Sequence, residues 1–246
     1  MNRGFYTIAS GMLTRQRSLN AIANNMANAK TPGFKSERVV TTTFEEELMV
    51  RTDGMGKTPI GKGAPVNTVE DVVSNFDAAQ LFDSERPYDL AIQGNGFFTV
   101  TAADGKQYLT RNGNFDIDEE GFLILPGQGR VQGEKGDIEI GGAEFVVQES
   151  GQVYDNKGKA VDRLLIQNAA EGTKLAKYAN GMYMSTDELL RVQNPGIAQF
   201  VKEGSNVDFN TEMSLMMEAQ RSFQSCAKAL TSIDQINQKA ANIAAL

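Results

Sequence analysis

The chain has 246 residues, 41% of them hydrophobic, which is enough apolar material for one or two packed domains and excludes a disordered chain. Its net charge of −7 disfavours a nucleic-acid partner, which requires a basic stripe. One cysteine, Cys226, excludes an internal disulfide, and the lack of histidine removes the commonest general base and metal ligand.

The chain opens Met1-Asn2-Arg3-Gly4-Phe5-Tyr6 with no apolar run behind it, so a cleaved secretory signal is not expected. No window approaches the ~18 uninterrupted apolar residues that a membrane-spanning helix needs. From Phe5 the positions Phe5, Ile8, Met12, Arg15, Leu19, Ile22, Met26 and Ala29 step by alternating threes and fours, which predicts a helix with one apolar seam broken only by Arg15. Thr31-Pro32-Gly33 ends it, because the residue before proline leaves the helical region and glycine accepts positive φ.

Residues 37–74 mix a β-branched run, Val39-Val40-Thr41-Thr42-Thr43, with a glycine-rich stretch from Gly54 to Gly63, and read as an extended connector. From about residue 75 to 202, short apolar runs alternate with turn dipeptides: Gly94-Asn95-Gly96, Asp104-Gly105, Asn112-Gly113, Glu120-Gly121 and Pro126-Gly127. Asn-Gly and Asp-Gly between β-rich runs are hairpin signals, so an all-β domain is predicted here.

Near the other end Met216, Ala219, Phe223, Cys226, Leu230, Ile233, Asn237, Ala240 and Ala244 repeat the three-four alternation, with Asn237 the polar exception. Ser205 or Asn206 suits a helix start, and Thr211 suits a cap. Both seams are narrow, so each helix needs a partner; they are expected to pack on each other and on neighbouring copies, and to order fully only on assembly. Residues 1–38 carry six basic side chains against one acidic, residues 203–246 three against five, which favours pairing weakly. The expected fold class is therefore α+β, with the N- and C-terminal helices packed as a coiled-coil-like pair (1–36 and 203–246) around an inserted all-β domain.

Three segments resemble chemical motifs and fail on their detail. Asp116-Ile117-Asp118-Glu119-Glu120-Gly121 opens like a calcium loop, but Gly127 stands at its twelfth position where a bidentate Glu is needed. Gly94-Asn95-Gly96 lacks the third glycine of a dinucleotide fingerprint and precedes a strand. Cys226 has no histidine to activate it. No catalytic residue, cofactor or metal is expected.

The run Ala23-Asn24-Asn25-Met26-Ala27-Asn28-Ala29-Lys30-Thr31-Pro32-Gly33-Phe34-Lys35 resembles the signature of the bacterial flagellar rod, hook and hook-junction proteins. Glu203-Gly204-Ser205-Asn206-Val207-Asp208, Glu212-Met213 and Gln220-Arg221-Ser222-Phe223 are similar to that family's second signature. Asp89 to Phe98 and Arg111-Asn112-Gly113-Asn114-Phe115 resemble its β domain. Asp83-Ser84-Glu85-Arg86-Pro87-Tyr88 departs from the Thr-Gly-Asn-Pro-Leu usual in distal-rod and hook members, and one compact β insertion argues against a hook protein.

The resemblance implies a structural subunit that stacks helically and passes torque from motor to hook, proximal rod before distal rod. It implies copies of itself and other rod proteins as partners, export by the flagellar type III apparatus, and a place in the periplasmic rod. The assembly interface it implies comprises Phe5, Ile8, Met12, Leu19, Ile22, Met26, Met216, Phe223, Leu230, Ile233 and Asn237 on the seams. To these it adds Asn24, Asn25 and Asn28, whose amides suit bonding between packed helices, with Gly33, Phe34 and Asn206. The alternative is a soluble carbohydrate-binding or enzymatic β protein with a terminal helical hairpin.

Overall fold

The structure, a computed structural model, describes residues 3–44, 47–53, 56–63, 66–142, 145–170, 173, 175–185 and 187–244. Gly54 and Met55 of the glycine-rich stretch lie outside them. The chain divides into two compact units, Met1–Ala27 with Glu37–Asn75 and Asp208–Leu246, and Asn28–Ser36 with Phe76–Val207.

The first, helical unit holds α1 (Arg3–Ala27), strands β1 (Glu37–Phe44), β2 (Glu47–Asp53), β3 (Gly56–Gly63) and β4 (Val66–Ser74), and the 36-residue α2 (Phe209–Ala244). The segment read as an extended connector is extended and paired. β1 runs antiparallel to β4 from Glu37↔Ser74 to Phe44↔Val66, and β2 to β3 from Glu47↔Gly63 to Asp53↔Gly56. A two-stranded ribbon has only edge strands, so Pro59 inside β3 removes no central ladder bond. The terminal helices pack together, as their seams predict.

The second, β unit takes the remaining strands in order. These are β5 (Leu81–Asp83), β6 (Leu90–Ile92), β7 (Phe97–Ala102), β8 (Gln107–Thr110), β9 (Asp116–Ile117), β10 (Leu123–Leu125), β11 (Gly129–Val131) and β12 (Phe145–Val147). They continue with β13 (Gln152–Asp155), β14 (Ala160–Arg163), β15 (Ile166–Ala169), β16 (Leu175–Lys177), β17 (Met182–Ser185), β18 (Leu189–Arg191), β19 (Ile197–Gln199) and β20 (Val201–Glu203). The largest sheet runs β16-β17-β8-β7-β11-β10-β9, with β15 joining β7 to β18; β12-β13-β14 form a second sheet, and β19 pairs β6 while β20 pairs β5.

β7 organises the core because both its faces are covered. Phe98 and Val100 enter the larger cluster with Leu90, Phe115, Leu123, Val131 and Ile166. Phe97, on the other face, joins Leu109 and Tyr183, and Phe76 meets both aromatic rings edge-on at 5.4 and 5.1 Å. A strand buried on both sides reads as a continuous apolar run, which is the pattern of Phe97-Phe98-Thr99-Val100.

Of the turn dipeptides, Asp104-Gly105 closes the β7–β8 hairpin and Glu120-Gly121 the β9–β10 hairpin. In the latter the Asp118 carboxylate accepts the amides of Glu120 and Phe122 and pairs with Arg130 at 3.0 Å, so the calcium-like run is turn chemistry. Asn112-Gly113 makes no hairpin. The Gly113 carbonyl accepts the Leu90 amide at 2.9 Å, and a Cβ there would lie 1.7 Å from the Leu90 oxygen. That glycine answers a close approach of two backbones, a requirement set by a residue far away in sequence.

Candidate assembly site

Within the helical unit, a Cβ placed on Gly4 would sit 3.6 Å from Ile233 Cδ1, and one on Gly11 4.0 Å from Cys226 Sγ. Seven residues forward on α1 match seven backward on α2, the register of antiparallel helices on a heptad seam. Farther along, Ala21 and Ile22 share a cavity of ≈ 220 Å³ with Leu215 and Ala219. Small residues on α1 thus admit larger ones from α2. Ile22 is buried; Ile8, Met12, Leu19 and Met26 are half-buried, as are Met216, Phe223, Leu230 and Ile233. Phe5 and Asn237 are exposed, and from Asp234 onward α2 runs past Arg3, the first described residue of α1.

Pairing leaves a second apolar set uncovered. Tyr6 and Leu13, seven apart on α1, are each 53% exposed, and Met213 and Met217 on α2 are 49% and 46% exposed. Ile236 and Ile243, again seven apart, reach 64% and 74%. Tyr6 and Leu13 lie off the seam of α1, and a single antiparallel partner does not cover them.

The asparagines of the first signature do not work alike. Asn25 is fully buried and donates to the Glu37 carbonyl while accepting the Glu37 amide, both at 2.9 Å. Asn24 donates to Glu37 Oε2 at 3.0 Å. Within the chain both amides meet Glu37 of β1, and that of Asn25 matches the adjacent N–H and C=O of this strand residue. Asn28 lies beyond the helix and accepts from Thr31 Oγ1 at 3.1 Å. Beside Glu37, Arg38 reaches the buried Glu212 of α2 at 2.7 Å. Asp208, rather than Thr211, caps α2: its carboxylate accepts the Asn210 amide at 3.1 Å and the Thr211 hydroxyl.

Within the β unit, the other signature residues converge. Gly33 holds φ +67°, its amide donates to the Glu203 carbonyl at 2.9 Å, and a Cβ there would lie 2.4 Å from the Arg111 and Asn112 backbone. Phe34 is buried, with Lys177 Nζ 4.5 Å from its ring centroid. Lys35, fully buried, donates to Glu203 Oε1 at 2.6 Å and to the Asp77 carbonyl at 2.8 Å. Arg111 faces Glu203 Oε2 at 3.5 Å and donates to the Gly94 carbonyl at 2.8 Å. Asn206 accepts the Ser36 amide at 2.7 Å and donates its own amide to the Phe34 carbonyl at 3.3 Å.

Two buried cations share one carboxylate here. Burial pushes the Lys35 ammonium below its ordinary value, while the hydrogen bond and charge of Glu203 pull it back. Arg111 is lowered by burial and raised by the same carboxylate. The carbonyls of Asp77, Ile92 and Gly94 take up further hydrogens of the two cations, which lowers the cost of burying them, while Arg111 Nε is left without a hydrogen-bond partner. Gly33, Phe34 and Asn206 are foreseeable from their motifs. Lys35, Arg111 and Glu203 stand in the same motifs, but nothing in one dimension pairs them.

Among the described residues no group of three His, Cys, Asp or Glu side chains is arranged to hold a metal, and no helix is long and apolar enough to cross a membrane. The arrangement offers packing surfaces and buried polar ties.

Comparison with known proteins gives the same three regions. Residues 5–35 match the family described as flagella basal body rod protein, residues 91–155 the flagellar hook protein FlgE/F/G D1 domain, and residues 198–243 the flagellar basal body rod FlgEFG protein C-terminal region. The chain is 32% identical to the flagellar basal-body rod protein FlgG of Bacillus subtilis (strain 168) over 99% of both chains. It is 31% identical to the flagellar basal-body rod protein FlgF of Caulobacter vibrioides over 98% of this chain and 97% of that one. It is 28% identical to the flagellar hook-basal body complex protein FlhO of Bacillus subtilis over 98% of both. With signatures at both ends and in the middle meeting in its fold, and relatives aligned over nearly its whole length, the chain belongs to the flagellar basal-body rod and hook protein family.

Proposed function

We propose that the chain is a non-catalytic structural subunit of the flagellar rod, proximal in preference to distal, that stacks helically with copies of itself and other rod proteins and passes torque from motor to hook. The observation that carries this reading is the apolar set left exposed on both terminal helices after they have paired, Tyr6, Leu13, Met213, Met217, Ile236 and Ile243. Large apolar side chains spaced along both terminal helices of a folded chain offer surface for burial by other molecules. Heterologous contacts that do not close into a ring extend into a helical tube. The seam residues, with Asn24, Asn25, Asn28, Gly33, Phe34 and Asn206 fixing the chain where the helices end, form the assembly interface of this reading. The preference for a rod over a hook protein rests on end-to-end alignment with rod proteins. A place in the periplasmic rod, reached through the flagellar type III apparatus, follows from the same reading.

Gene deletion with imaging of purified basal bodies and a motility assay tests it. Non-motile cells with a truncated or missing rod are expected, and the length of the remaining stub reports proximal or distal position. Motile cells with intact basal bodies would overturn the reading in favour of a soluble β protein.

A further inference from the structure

We infer that Glu203 is the positioning residue of a polar clamp that ties three separate connections of the β unit together, so that residues 33–36, 77–79 and 203–206 open as one or not at all. The chain passes between its two units after Ala27, Ser36, Asn75 and Val207. Three of these four passages have a clamp residue beside them inside the β unit: Lys35, Asp77 and Asn206.

Glu203 touches every arm. Its carbonyl takes the Gly33 amide at 2.9 Å, its Oε1 takes Lys35 Nζ at 2.6 Å and the Ala79 amide at 3.3 Å, and its Oε2 faces Arg111 at 3.5 Å. Asn206 closes the ring, joining Ser36 and Phe34 on one arm to the Asp77 carbonyl at 3.3 Å on another. The Gly204 amide adds a bond to the Gln80 carbonyl at 2.9 Å. These partners are 42 to 170 residues apart in sequence, so beside local bonds such as Phe34 amide to Thr31 carbonyl each arm is held by the other two. Buried charge makes partial opening costly, since freeing one arm strands an ion without its partner. Contiguous segments stabilised by one another behave as one cooperative unit. If the chain is the torque-passing subunit proposed above, a force entering through one connection is thereby shared by three.

Amide hydrogen exchange on the full-length chain, resolved by residue, tests the clamp. Glu203→Gln keeps the shape and removes the charge. Loss of charge-assisted bonds predicts exchange faster at Gly33, Ser36, Ala79, Gly204 and Asn206 together, by about tenfold or more beyond any change in the β7–β8 ladder. Lys35→Met, changed on the opposite arm, should accelerate the same five amides. Acceleration confined to Ala79, or equal in the five clamp amides and the β7–β8 ladder, would overturn the clamp, the first by making it local and the second by making it general scaffold. Wild-type protein that builds no rod would remove the torque reading and leave the exchange result standing.

Discussion

Lys35 shows how a residue can be visible in a motif and opaque in its role. A lysine just after a Pro-Gly turn is ordinarily solvated, yet here it is fully buried against Glu203, 168 residues away. Lys35→Met leaves Glu203 without its close partner, and removing one member of a buried pair typically destabilises by about 3–5 kcal/mol. Urea unfolding followed by the near-ultraviolet signal of the β unit should show that loss. Tyr108 carries the second prediction at this scale. Its hydroxyl donates to Asp104 Oδ2 at 2.8 Å, and that bond, then burial, raises its pKa above the ordinary 10.0. Because the folded chain holds this proton longer than the unfolded chain, the contribution is complete below pH 10.0 and is lost as pH rises from there toward the folded value. Absorbance titration should therefore find that Tyr108→Phe removes a late-ionising tyrosine, and with it the corresponding alkaline decline in stability.

At the scale of elements, the terminal helices follow from periodicity, because a seam of threes and fours has few alternatives over twenty residues or more. Their register does not follow, since it depends on which small residues face which large ones. Gly11 is the instructive case. Glycine costs a helix interior backbone entropy, and the structure leaves ordinary contact space for a methyl group beside Cys226. Gly11→Ala should stabilise the helical unit by about 0.5–1 kcal/mol, read as a higher midpoint in helical circular dichroism. Gly33, by contrast, has both positive φ and backbone at 2.4 Å, and admits no such change. Turn chemistry was legible where it was local, as in Asp104-Gly105. It misled at Asn112-Gly113, where a distant strand sets the need for glycine.

Across the whole molecule, apolar side chains of both terminal helices stay exposed after the helices have paired. Met217 lies on the exposed apolar side of α2, where a charge costs the isolated chain little. Met217→Asp should change monomer stability by less than about 1 kcal/mol while blocking assembly, scored by sedimentation of purified protein and by motility of complemented cells. Normal assembly by this variant would show that the face belongs to solvent.

Local order and family membership were in the sequence by itself: two seamed helices, a β region between them, and three motifs that single out the rod and hook proteins. These depend on short-range periodicity, turn stereochemistry and residue identity, all of which a linear chain displays. Tertiary structure alone decided that residues 28–36 join the β unit while 37–75 join the helices, that Asn25 bonds a strand residue, and that Lys35, Arg111 and Glu203 form one buried cluster. Burial and charge pairing are properties of distance in space, and side chains more than a hundred residues apart acquire them only when the chain between them has folded.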